Sequence, residues 1–110
     1  MTEKSKKYLS DVLIAITLIR EFTIDITDFK MYDKDQKTQS AVERQLVIIG
    51  EALNKLRLME NDFVIENGNQ IIGFRNRLVH AYDNIDNSIV WAILNRHLEN
   101  LKIEIENLGN

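Results

Sequence analysis

Nine consecutive residues carry most of the chemistry this chain could do. In Phe74-Arg75-Asn76-Arg77-Leu78-Val79-His80-Ala81-Tyr82, two guanidiniums, an amide, an imidazole and a phenol stand close together. Phosphodiester cleavage needs these types. Imidazole exchanges its proton near neutral pH and can take one from a ribose 2′-OH. A guanidinium forks onto phosphate oxygens as charge builds on them. On a helix Asn76 and His80 are four apart and share a face, so the amide can orient the ring. Arg75 lies to one side with a side chain long enough to reach round, and Tyr82 comes near it on the helical wheel. Arg77 adds a second cation for phosphate or RNA. One histidine in the segment cannot readily serve as both base and acid, but a two-fold dimer brings two copies together and supplies both. The same residues also fit a surface cation and a capping or packing histidine near a helix end.

Other constellations are weaker. His97 falls on an apolar face and reads as a core or interface histidine. Asp83-x-x-Asp86 reads as loop and cap chemistry. With no cysteine and no His-x-x-x-His pair the expectation is no metal and no cofactor. The net charge is −3, which does not describe a general nucleic-acid binder. The charge is uneven: residues 71–82 hold Arg75 and Arg77 and no acid, within an otherwise neutral or acidic chain. Such a local cationic patch can hold a phosphate.

The elements that position this segment follow from the composition. At 110 residues, the chain has room for one domain, spanning 1–110. It has no proline and four glycines, too few turn-formers for a fold built on many hairpins, and long helices remain. Tyr8, Val12, Ala15, Ile19, Phe22, Ile26 and Phe29 recur at spacings of four and three, predicting a first helix from Lys6 to Phe29. Polar residues 30–37 read as a solvated connection. A second helix starts between Gln36 and Ala41, with Ser40-x-x-Glu43 as a capping box and Thr38 or Asp35 as earlier caps. Its seam is Val42, Leu46, Ile49, Leu53 and Leu56, and Gly50 in its middle predicts a close approach of another helix. Phe63-Val64-Ile65 suggests a short extra turn, and Asn67-Gly68-Asn69 a break. A third helix is predicted from Gln70 to Ala81, with Ile71, Phe74, Leu78 and Ala81 buried. A last helix runs from Ser88 to Leu108 on Val90, Leu94, His97, Leu101, Ile105 and Leu108, with Gly109 as stop. The predicted fold is all-α: an up-and-down bundle of four main helices plus a short extra one. Lys4, Lys6 and Lys7 before an apolar run hint at a signal peptide, but Asp11, Thr17 and Arg20-Glu21 do not fit one. No stretch reaches membrane-span length, so a cytoplasmic protein is expected.

Arg75-x4-His80-x-Tyr82 resembles the Arg-x4-His-x-Tyr motif of HepT-like toxins in the HEPN superfamily, and Asn76 matches the polar residue that follows the arginine there. Asp35-Gln36-Lys37-Thr38-Gln39-Ser40-Ala41-Val42-Glu43-Arg44-Gln45-Leu46 and Ile48-Ile49-Gly50-Glu51-Ala52-Leu53-Asn54-Lys55-Leu56 resemble its second helix. Ile71-Ile72-Gly73-Phe74 and Ile89-Val90-Trp91 are similar to the family's motif helix and last helix. Ala81 stands where glycine is common, and Gly68-Asn69-Gln70 where Pro or Trp is frequent. The resemblance implies a homodimer with a composite cleft at its axis. It implies a metal-independent endoribonuclease in which Arg75 and His80 act on RNA, with Asn76 beside them. It also implies a partner, a small nucleotidyltransferase antitoxin that adenylylates Tyr82. The alternatives are a catalytically inactive HEPN module that binds nucleotide or substrate for such a partner, and a plain helical dimerisation protein.

Overall fold

Thr2 begins the first helix by accepting the Ser5 N–H with its hydroxyl, so α1 runs Glu3–Thr23. A computed structural model describes residues 1–60, 63 and 65–108, with Tyr82 by its backbone alone. These residues form six α-helices and two 3-10 turns, with no strand among them. The all-α architecture expected from the heptad-like seams is present; several helix ends differ.

The first difference is at the end of α1. Thr23, Ile24, Ile26 and Thr27 are β-branched and hold helical backbone poorly. The helix stops at Thr23, whose hydroxyl donates to the Ile19 carbonyl, and Phe22 is left exposed outside the core. Asp28 then caps a separate short helix, α2 (Phe29–Lys34), through the Met31 N–H. The predicted solvated connection over 30–37 is therefore largely helix. Its one buried residue, Tyr32, is fully buried and lies against Trp91, ring centroids 5.6 Å apart.

Asp35 makes the corner into α3 (Gln36–Met59). Its backbone N–H bonds to the Tyr32 carbonyl while its carboxylate accepts from the Thr38 N–H and hydroxyl. The Ser40-x-x-Glu43 capping box is not used, because the helix has already begun. The Thr38 hydrogen bonds hold the Asp35 carboxyl below its ordinary value. Val42, Leu46, Ile49, Leu53 and Leu56 are all fully buried, as their spacing predicts. α1 and α3 pack along their length. At about 1.5 Å per residue they account for most of the 41 Å long axis.

After α3, Gly109 and the Val64 portion of the predicted Phe63-Val64-Ile65 turn lie outside the described residues. The ordered turn is instead a 3-10 turn at Glu66–Gly68, directly before α4 (Asn69–His80). Glu104 ties this turn down by accepting from the Glu66 N–H, the Asn67 N–H and Asn67 Nδ2 at 2.9, 2.9 and 2.7 Å. Ile71, Phe74 and Leu78 bury one face of α4, while Ala81 is its C-terminal cap rather than a core residue. The last predicted helix is divided at His97 into α5 (Asn87–Arg96) and α6 (Leu98–Leu108). Hydrogen bonds still run from His97 N–H to Ile93 and from Leu101 N–H to His97, so the chain bends without unwinding. The buried stripe passes from Leu94 to Leu98, which leaves His97 half-buried beside it. Asp86 caps α5 by accepting from Ser88, the role predicted for the Asp83-x-x-Asp86 loop. No described helix is long and apolar enough to cross a membrane.

Candidate functional site

Arg75, Asn76, Arg77 and His80 all lie on α4, the helix fixed at its start by Glu104 and along its face by Ile71, Phe74 and Leu78. Their surroundings differ. Arg75 turns toward α3. A Cβ built on Gly50 would stand 3.1 Å from Arg75 Cβ and 3.3 Å from its Cγ and Cδ, so the aliphatic stem lies directly over the glycine. This is the close approach that Gly50 predicts. The guanidinium Nη1 reaches Glu51 Oε1 at 3.4 Å, and the arginine side chain is 28 % exposed. A long, single contact of this kind orients the guanidinium while leaving most of its donors free.

Asn76 and His80 are exposed one turn apart, and neither side chain hydrogen-bonds to another described residue. His80 is the last residue of α4. At 100° per residue it stands about 140° round the helix from Arg75. One chain thus presents a half-buried arginine toward α3 and an amide–imidazole pair toward solvent. Arg77, also exposed, lies three residues before His80 and lines a different feature, a cleft between α4 and α5.

Tyr82 does not continue the helical wheel. The backbone leaves α-geometry at Ala81 (φ −134°, ψ 41°), and Tyr82–Asn84 form a 3-10 turn closed by the Asn84 N–H to the Ala81 carbonyl. The expected closeness of the Tyr82 ring to Arg75 lies outside the described residues.

The α4–α5 cleft has a volume of about 420 Å³. Gln70, Gly73, Phe74 and Arg77 face it from α4, and Ser88, Ile89, Ala92, Ile93, Arg96 and His97 from the other side. Arg96 and His97 were not linked to the motif by sequence reasoning. A signal exists: Ile89, Ile93 and Arg96 recur at spacings of four and three, so a cation continues an apolar face. Glu51 had a weaker signal, its position next to the mid-helix glycine. The carboxyl of Asp86 is held below its ordinary value, first by Ser88 hydrogen bonds and in smaller part by the Arg77 cation.

The family described as Ribonuclease HepT-like matches residues 12–108 of the chain. A protein of Thermococcus cleftensis named "Probable ribonuclease HepT" is 37 % identical over 98 % of both chains. A protein of Methanocaldococcus jannaschii named "Putative RNase MJ1380" is 35 % identical over 92 % of this chain and 93 % of its own. No solved structure matches. A match over nearly the whole chain, at the helices that carry Gly50, Arg75 and His80, places it in a family: the protein belongs to the ribonuclease HepT-like family.

Proposed function

We propose that the protein is a metal-independent endoribonuclease toxin that works as a homodimer. The observation that carries this reading is the arrangement on α4 in a member of this family: Arg75 oriented by Gly50 and Glu51, and Asn76 and His80 exposed at the helix end. His80 takes the proton from a ribose 2′-OH. The 2′-oxygen attacks the adjacent phosphorus, the bond to the 5′-oxygen breaks, and a 2′,3′-cyclic phosphate forms. Arg75 stabilises the charge gathering on the phosphate oxygens. Asn76, one turn from His80 and not bonded to it in the free chain, orients the imidazole once RNA is bound, and Arg77 holds neighbouring phosphate. The leaving 5′-oxygen takes its proton from His80 of the partner subunit, which is why two chains are needed.

Regulation follows from the same segment. A nucleotidyltransferase partner supplies AMP: the Tyr82 hydroxyl attacks the α-phosphorus of ATP and pyrophosphate leaves. The attached nucleotide adds a charged phosphodiester and a bulky adenosine, which exclude RNA by charge and volume.

The test is cleavage of single-stranded RNA by purified protein in EDTA. Wild type cleaves. Arg75→Gln loses roughly 10²–10³-fold in rate, the usual scale for a lost oxyanion contact. His80→Ala loses roughly 10²–10⁴-fold, the scale of general acid–base catalysis. Variants as active as wild type would overturn the assignment. With the nucleotidyltransferase and ATP, intact mass should rise by one AMP on wild type and not on Tyr82→Phe. A silenced but unmodified wild type contradicts adenylylation and indicates inhibition by binding.

A further inference from the structure

Two features of the α4–α5 cleft are not explained by the chain itself. Gly73 stands in the middle of α4, exposed, and a Cβ there would meet nothing within 4 Å. Glycine inside a helix lowers its stability relative to alanine. At Gly50 that loss allows Arg75 to pack; at Gly73 no neighbour among the described residues needs the space. His97, in the same wall, has its Nδ1 buried with no hydrogen-bond partner among the described residues. Buried polar atoms without partners are rare and call for an account.

The lining also has a definite chemistry. Phe74, Ile89, Ala92 and Ile93 give an apolar floor, and Arg77 and Arg96 are the charged residues beside it. Among the described residues no acid lines the cleft and neither arginine forms an ion pair within 4 Å, although Asp86 lies within electrostatic reach of Arg77. An apolar slot with two guanidiniums outside ion-pair contact matches a planar base joined to a phosphate. A volume of about 420 Å³ lies in the range of small-ligand sites. On α4, Arg77 lies one turn before His80 and Gly73 two turns before it on the same side of the helix, so the cleft runs along α4 away from the proposed base.

We propose that this cleft is a subsite for one nucleotide of single-stranded RNA, next to the scissile position. The base lies on Phe74, Ile89 and Ile93, over the space left by Gly73. The phosphate lies between Arg77 and Arg96. The proposal deepens the ribonuclease reading and rests on it for the identity of the polymer.

The test is calorimetric titration of the full-length protein with 5′-AMP, with adenosine as the control lacking phosphate. Expected is binding of 5′-AMP about tenfold or more tighter than adenosine, the scale of one charge-assisted contact. Arg96→Gln should weaken 5′-AMP about tenfold and raise KM for RNA while kcat changes little. Gly73→Leu should block the slot and remove 5′-AMP binding. Binding that neither substitution alters overturns the subsite. So does a Gly73→Leu protein that keeps 5′-AMP binding but sediments at lower mass, since the cleft is then a contact between copies. Wild type that cleaves RNA with a KM untouched by Arg96→Gln overturns the cleft and leaves the ribonuclease reading standing. A protein that binds 5′-AMP through Arg96 yet cleaves no RNA overturns the ribonuclease reading and supports the cleft as a nucleotide site.

Discussion

Gly50 and Arg75 touch across the crossing of α3 and α4, with the arginine stem where a side chain on residue 50 would be. The contact joins a packing requirement to a chemical one. A helix-interior glycine is tolerated because it lets α4 come close enough for Arg75 to lie on α3 and for its guanidinium to meet Glu51 at 3.4 Å.

Gly50 is buried and Gly73 exposed, and an added side chain should act differently at each. Gly73→Ala should stabilise the protein by about 0.5–1 kcal/mol, since the methyl enters open space and helix propensity improves. Gly50→Val should destabilise it by about 1–3 kcal/mol, because Arg75 Cβ cannot move without moving α4. Urea midpoints report both. Stabilisation by Gly50→Val would contradict the close approach.

Glu104 anchors the turn before α4 and predicts a pH dependence. Burial pushes its carboxyl up, but hydrogen bonds from Asn67 and Glu66 outweigh this and hold it below the ordinary value of 4.5. The folded protein therefore holds this proton less tightly than the unfolded chain does. The stabilisation is present in full above the ordinary value and is lost as pH falls through the lowered folded value. Glu104→Ala should cost about 1–2 kcal/mol at pH 7 and much less near pH 3. An equal cost at both pH values would contradict the clamp.

Tyr32 is fully buried with no partner for its hydroxyl among the described residues. Burial, then Glu43 and Asp35, push its phenol far above the ordinary range, so it stays neutral. Tyr32→Phe should leave stability unchanged or raise it by about 1 kcal/mol, because no hydrogen bond is lost and a desolvated hydroxyl is removed. Tyr32→Ala should cost about 3 kcal/mol or more through the cavity left beside Trp91. Thermal unfolding decides, and a large loss in the Phe variant would reveal an unseen partner.

The proposed composite site requires two chains. Sedimentation at micromolar concentration should give about 26 kDa as the smallest unit, twice the 12.9 kDa of one chain. A persistent monomer that nonetheless cleaves RNA would contradict the two-chain mechanism.

Legibility from sequence varied with physical cause. The α3 seam was readable because five apolar residues repeat without interruption and all are buried. Gly50 announced the crossing because a glycine inside a helix needs a reason. The motif segment was readable because its residue types cluster within one helix. α2 was not, since in a six-residue helix only Tyr32 is buried and its polar neighbours read as a connection. The bend at His97 has no proline or glycine to mark it; it shows only as the shift of the buried stripe to Leu98. The α4–α5 cleft needs two segments in space, so Arg96 could not be joined to Arg77 by spacing alone. The end of the motif helix was legible to within one residue, Ala81 against the observed His80, but the 3-10 turn at Tyr82–Asn84 was not, because nothing in Ala81-Tyr82 marks it.

The chemistry of the RNA ends tests the central claim most directly. An oligoribonucleotide with one 2′-deoxy residue at the cut position, and its all-ribose twin, are incubated with the protein in EDTA, and the products are weighed by mass spectrometry. Attack by the 2′-oxygen through Arg75 and His80 predicts 2′,3′-cyclic phosphate and 5′-hydroxyl ends from the ribose strand, and no cleavage at the deoxy position. Cleavage of the deoxy strand at that position, or 5′-phosphate ends from either strand, would contradict it.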